Sequence, residues 1–177
     1  MTRQLFASIH QFDVLAFSWC MNRKRREHLT QVGRYVSATA DGPLYALMAL
    51  LLYALHDAFD ERWLQAMALA FVVERVIYLL VKRVCKRNRP QDALINFHSF
   101  IRPSDQFSFP SGHTSCAFLF ATFLVALFPA VALLWWLWAA SVGLSRIFLG
   151  VHFPTDTVVG AFMGASVALW AMGYVGL

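Results

Sequence analysis

The stretch "PSGHTSCAFLFATFLVALFPAVALLWWLWAASVGLS", Pro110 to Ser145, contains no Asp, Glu, Lys or Arg. The uncharged run reaches outward to Asp105 on one side and Arg146 on the other. A helix crossing a hydrocarbon core needs about 20 apolar residues, so two crossings back to back use all of it. One begins near His113 and ends near Phe128-Pro129; the next runs from about Val131 to Leu149. The residues around Pro110 and Arg146 must then lie at, or slightly inside, the headgroup boundary. Length alone puts their polar groups where lipid phosphates sit.

Three further spans surround this pair. One centres on "GPLYALMALLLYALH", a second is "WLQAMALAFVVERVIYLLV" from Trp63 to Val81, and the last occupies Thr157 to Leu177. The expected fold is therefore all-α, a polytopic integral membrane helix bundle with about five transmembrane helices. Ahead of it, "LFASIHQFDVLAFSW" places Phe6, Ile9, Phe12, Leu15 and Trp19 on one helical face, with His10 and Asp13 elsewhere on the wheel. That pattern reads as an interfacial helix. The basic turn "NRKRREH", Asn22 to His28, reads as a headgroup-facing connector.

Composition agrees. With 59% hydrophobic and 14% charged residues and a mean hydropathy of +0.54, the chain has too little polar surface to cover a soluble globule. The formal charge of +5 could suit nucleic acid, but the cations cluster between apolar segments and no nucleic-acid-binding pattern occurs. An anionic headgroup or phosphorylated lipid is the better partner. Three cysteines, Cys20, Cys85 and Cys116, show no disulfide or metal spacing.

Counting crossings brings the polar clusters together. If the second span ends on face X, the loop from Lys82 to Gly112 lies on X, the Pro129 hairpin on the opposite face, and Arg146 to Asp156 on X again. Three clusters share that face. "KRVCKRNRP" runs from Lys82 to Pro90, "PSGH" from Pro110 to His113, and "SRIFLGVHFPTD" from Ser145 to Asp156. Singly each has an ordinary reading: a topology signal, a helix-entry turn, a solvated helix end. His152 and Asp156 are four apart, so one helical turn lets a carboxylate hold one imidazole nitrogen.

In combination the clusters are more specific. Lysine, six residues and Arg-Pro are met by Lys82 and Arg89-Pro90; Pro-Ser-Gly-His by residues 110–113. Ser-Arg, five residues, His, three residues and Asp are met by Ser145-Arg146, His152 and Asp156. The pattern resembles the type 2 phosphatidic acid phosphatase superfamily, which also includes vanadium haloperoxidases and glucose-6-phosphatase-like enzymes. The resemblance covers about residues 37–175. It divides the chain into residues 1–36, the interfacial helix and basic connector, and residues 37–177, a transmembrane phosphatase domain.

The resemblance implies that His152 is the nucleophile and forms a phosphohistidine, that Asp156 orients it, and that His113 protonates the leaving oxygen. Lys82, Arg89 and Arg146 then neutralise the phosphoryl oxygens, and Ser111 with the Gly112 amide binds phosphate at a helix start. Arg102 and Asp105 lie in the loop over the site and could shape a headgroup pocket. Neither a metal nor a cofactor is expected, because arginine and lysine supply the positive charge. Arg83, Lys86 and Arg87 read as headgroup contacts or topology signals, Ser145 as a packing residue, and Glu74–Arg75 as a structural pair in mid-span. "GAFMG", Gly160 to Gly164, fits a close helix seam.

The implied function is metal-independent hydrolysis of a lipid phosphate or diphosphate, with undecaprenyl diphosphate, as in small bacterial enzymes of this type, leading. Phosphatidic acid, phosphatidylglycerol phosphate and lipid-to-lipid phosphotransfer use the same residues. A non-enzymatic lipid scaffold would be expected to carry damaged motif positions, and these are intact. Expected partners are the lipid phosphate and the bilayer, with no nucleic acid; the expected location is the bacterial inner membrane. On sidedness two rules conflict. The positive-inside rule puts face X in the cytoplasm, whereas the resemblance puts the site on the extracytoplasmic face, and the resemblance is preferred.

Overall fold

The computed structural model describes every residue except Met1, Arg23 and Ser104, and every side chain of the rest except Thr2, Arg3, Leu5 and Phe6. Phe6, placed on the apolar face of the first helix, thus lies outside the described side chains. The described residues form helices and no strand: α1 (Thr2–Met21), α2 (Arg26–Ala38), α3 (Gly42–Leu55), α4 (Glu61–Cys85), α5 (Pro90–Ala93), α6 (Gly112–Leu127), α7 (Ala132–Phe148) and α8 (Pro154–Val175). A 3₁₀ turn at Pro129–Val131 joins α6 to α7.

Local chemistry sets the ends that matter. Asp60 caps α4, its Oδ1 accepting from the amides of Arg62 and Trp63 at 2.9 and 3.3 Å. That helix stops at Lys86, which turns left-handed with φ of 44°. Pro154 opens α8, where a missing amide costs nothing. Asp156 Oδ2 folds back to accept from the Phe153 amide at 2.8 Å.

Among the described residues, three helical stretches are long and apolar enough to cross a membrane, those containing α4, α7 and α8. α2 and α3, bent by 49° at their junction, qualify as a fourth only together. The span expected around Gly42-Pro43 is therefore shorter than its hydropathy suggested: α3 has 14 residues. α2 also runs across the expected boundary between residues 36 and 37 and packs along α7. α6 has 16 residues, about 24 Å at the helical rise. It compensates by being enclosed between α4, α7 and α8 rather than facing lipid.

That enclosure depends on glycine. A Cβ on Gly164 would sit 1.9 Å from the Ser115 carbonyl, and one on Gly160 would sit 2.6 Å from that of Ser111. The seam lets α8 lie backbone to backbone on the first turns of α6, and Ser111 N donates to Asp156 O at 3.0 Å. The starts of α6 and α8 are thereby locked together. Large apolar side chains such as Leu133, Leu137, Phe162 and Leu169 point outward and are exposed, as lipid-facing positions must be.

α1 turns the apolar face read from its sequence outward. Its greasy residues Phe12, Leu15 and Trp19 are 61–71% exposed. The inward face carries Phe17 and Met21, packed on Ile147 and Phe153, together with Asp13, which is fully buried. Asp13, which lies off the greasy face, is thereby turned into the protein.

Candidate active site

Two consecutive turns of α4 present Tyr78 and Lys82 on one face. Beyond Lys86 the chain turns back, and Arg89 enters the bundle just before Pro90. Lys82 and Arg89 are 6% and 2% exposed, so both cations need partners. Asp105, from the loop before α6, supplies them. Its Oδ1 accepts from Lys82 Nζ at 2.7 Å and from Arg89 Nη2 at 2.6 Å, and its Oδ2 accepts from the Tyr78 hydroxyl. Arg89 also donates to the carbonyls of Asp105 and Val151, at 3.0 and 2.6 Å. Burial acts to raise the Asp105 carboxyl, but the hydrogen bonds from Lys82, Tyr78 and Arg89 more than offset it and hold it at about 2.

His152, in the short loop between α7 and α8, is 3% exposed and forms part of a cavity wall. Its Nδ1 lies 3.6 Å from Asp156 Oδ2, longer than a hydrogen bond, a contact of the kind that tightens once a ligand is bound. With Nδ1 on that side, Nε2 is the nitrogen left for a reacting group. Burial pushes the imidazole down to about 4 against the pull of Asp156, with Arg89 and Arg146 adding to the depression. At neutral pH the ring is uncharged and keeps a lone pair.

The cavity, of about 340 Å³, is also lined by Arg89, Asp105, Gly112, His113 and Arg146. Sequence separation of more than sixty residues between Arg89 and His152 is thus closed in one chamber. Arg146 is 5% exposed and donates from Nη1 to Ser37 Oγ of α2 at 2.6 Å. Its buried Nε has no partner among the described residues. His113 sits at the start of α6, its Nε2 3.3 Å from Asp41 Oδ1.

Two of the expected phosphate contacts look different in place. Ser111 is fully buried and shares a hydrogen bond with Thr114 at 2.9 Å, so its hydroxyl is engaged within the helix turn. Gly112 is needed because the Tyr78 ring presses on it: an added Cβ would lie 2.9 Å from Cε2. Arg102 is exposed and lines a neighbouring shallow pocket of about 260 Å³ with Arg34, Asp41, His113 and Arg146. The expected headgroup pair is therefore split: Arg102 faces that outer pocket, while Asp105 is the counter-ion of Lys82 and Arg89. Ser145 donates to the Val142 carbonyl at 2.6 Å and packs on Gly33. Glu74 is fully buried, 3.9 Å from Arg75, which itself reaches the cavity.

Four participants went unread in the sequence: Tyr78, Asp41, Arg87 and Asp13. Tyr78 stands one turn before Lys82 and had a signal in that spacing. Asp41 had none. Arg87 reads as a headgroup contact, yet its guanidinium is 20% exposed and pairs with Asp156 at 2.8 Å and Asp13 at 2.6 Å. Among the described residues no group of three His, Cys, Asp or Glu could hold a metal ion.

Comparison with known proteins places this geometry. The family model described as the PAP2 superfamily matches residues 62–176. The chain is 33% identical over 128 residues to the bacitracin transport permease protein BcrC of Bacillus licheniformis, covering 71% of this chain and 63% of that one. It is 38% identical over 111 residues to decaprenylphosphoryl-5-phosphoribose phosphatase of Mycobacterium tuberculosis, covering 60% and 58%. The chain thus spans less than two thirds of the length of these curated relatives. The crystal structure of Aquifex aeolicus LpxE superposes with a TM-score of 0.79 at 26% identity, over 91% of this chain and 94% of that one.

Proposed function

The chain is an integral membrane member of the PAP2 superfamily, and from that premise we propose that it is a lipid phosphatase working through a phosphohistidine on His152. The observation that carries the reading is the junction of two cavities. The cationic chamber around His152 shares Gly42, Tyr45, Arg75 and Cys116 with an apolar groove of about 490 Å³ between α3 and α4. A charged head held at His152 leaves its hydrocarbon chain a dry path along Ala49, Leu50, Met67 and Phe71.

Catalysis follows from what the residues offer. Arg89, Arg146 and Lys82 hold the phosphoryl oxygens, and a phosphate entering the chamber takes over the place of the Asp105 carboxylate. The lone pair of His152 Nε2 attacks phosphorus. The bond to the leaving oxygen breaks, and that oxygen takes a proton from His113, which enters the step as the imidazolium beside Asp41 and leaves it neutral. The new N–P bond leaves His152 cationic, with Nδ1–H directed at Asp156. Water, giving its proton to His113, then attacks phosphorus, and inorganic phosphate departs with His152 neutral again.

A polyprenyl diphosphate is the leading substrate, supported by the decaprenyl-linked substrate in the name of the Mycobacterium relative and by the apolar lining of the groove. The test is phosphate release in detergent, without divalent metal, from undecaprenyl diphosphate, phosphatidic acid and phosphatidylglycerol phosphate. Release should be fastest from the diphosphate and fall by about 10³-fold or more in His152→Ala. Release that is unaffected by His152→Ala sinks the mechanism. The active site is assigned to the extracytoplasmic face of the inner membrane. Exposed Cys85, left as the sole thiol after replacing Cys20 and Cys116, should react with an impermeant maleimide on spheroplasts. Labelling only after lysis would reverse the assignment.

A further inference from the structure

Behind His152, on the side away from the cavity, lies a second charge cluster to which the family motifs contribute only Asp156. Asp13 of α1 is fully buried, and its hydrogen-bond partners among the described residues are Thr155 and Arg87. Its Oδ1 accepts from the Thr155 amide at 2.9 Å, and its Oδ2 accepts from the Thr155 hydroxyl and from Arg87 Nη2 at 2.6 Å. Arg87 Nη1 donates at 2.8 Å both to Asp156 Oδ1 and to the Thr155 hydroxyl. The guanidinium carbon lies over the Phe153 ring, 4.5 Å from its centre. A line of contacts therefore runs from α1 through Arg87 to Asp156 and on to His152.

The charges along that line decide what His152 experiences. Asp156 paired with Arg87 alone would be a neutral couple and would do little for a cation forming on His152. Asp13 engages the other half of the guanidinium, so the three groups together carry one negative charge. We propose that Asp13 and Arg87 are positioning residues of the hydrolytic site: Arg87 holds the Asp156 carboxylate in place, and Asp13 offsets the charge of Arg87 so that Asp156 still stabilises the imidazolium formed when His152 takes the phosphoryl group. The proposal rests on the phosphohistidine reading above. It gives the N-terminal helix, which lies outside the matched family region, a part in the chemistry.

The other groups around His152 do not replace this charge. Arg146 of α7 and Arg89 ahead of α5 are cations that oppose protonation of the ring. Asp105 is committed to Lys82 of α4 and to Arg89. Asp41, at the start of α3, faces His113 of α6. From α1, His10 packs in a T-shaped contact with Phe153, with ring centres 5.9 Å apart.

The test compares Asp13→Asn, Arg87→Gln and the double variant with the wild-type chain, using whichever lipid the wild type hydrolyses. Asparagine keeps the shape and the hydrogen bond from the Thr155 amide but removes the charge. Asp13→Asn should lower kcat by about tenfold or more with KM little changed, and move the acid limb of the pH profile to lower pH. The double variant restores one net negative charge and should recover most of the loss in kcat and bring the acid limb back. A purely structural Asp13 predicts the reverse, with the double variant worse than either single one. Unchanged kcat in Asp13→Asn, or no recovery in the double variant, overturns the proposal. Should Asp13→Asn fail to fold, Arg87→Gln decides. It leaves two net negative charges beside His152 and removes the group that holds Asp156, so kcat should fall and the acid limb move to higher pH; an acid limb at the wild-type position overturns the proposal. An inactive wild type, by contrast, would refute the phosphatase reading itself.

Discussion

Two carboxylate–cation clusters flank His152, and they are built on opposite principles. On the cavity side Asp105, one third exposed, holds Lys82 and Arg89. On the far side Asp13 and Asp156, both without exposure, hold Arg87. The first is a contact that an incoming phosphate can exchange, because its anion stands in the chamber on a loop. The second cannot exchange, because no solvent reaches its carboxylates and every oxygen is spoken for by a local amide, hydroxyl or guanidinium. A buried pair is weak evidence for stability, but it is an effective way to keep a nucleophile's orientation constant while ligands come and go. On the mechanism proposed above, the open cluster governs binding and the sealed one governs the chemical step.

The sharpest way to break this contrast is Asp156→Asn. If the sealed cluster acts on chemistry, kcat should fall by about 10²–10⁴-fold with KM nearly unchanged, measured by steady-state phosphate release. A rise in KM with kcat intact would erase the distinction. A smaller effect is expected from Asp105→Asn. It frees Lys82 and Arg89 for a phosphate, so inhibition by inorganic phosphate should strengthen, by about tenfold, while kcat changes less. Weaker product inhibition would show that Asp105 builds the anion site and does not compete for it.

The smallest effect concerns acid. Asp105 is held at about 2 in the folded chain, below its unfolded value near 3.9. Its contribution to stability is therefore complete above about pH 4 and is lost as pH falls toward 2. Wild type and Asp105→Asn should show a gap in thermal midpoint at neutral pH that narrows on acidification over this range. A gap that widens there would contradict the assignment.

Much of the site was readable before any coordinates, because the motif residues lie at fixed spacings next to spans whose lengths set their depth. Lys82, Arg89, His113, Arg146, His152 and Asp156 can be placed at one membrane face by counting crossings alone. What hides Asp13 and Arg87 is a matter of pairing. An acid in an amphipathic helix and an arginine in a basic run each have a common solvated reading, and only contact between them overrides it. Ser111 shows what spacing leaves out: its place in the motif suggested a ligand, and the structure adds that its buried hydroxyl shares a hydrogen bond with Thr114.

Although α2 had no reading in it, the amino-acid sequence by itself determined that this chain is a membrane helix bundle and where its long apolar helices begin and end to within a few residues. Those properties follow from hydropathy and from local backbone chemistry, which act over neighbouring residues. The tertiary structure decided which charges neutralise which. It set Asp105 against Lys82 and Arg89, and Asp13 against Arg87, because burial removes water as the alternative partner. Each buried ion must then take whatever countercharge the packing of α1, α4 and α8 brings within reach.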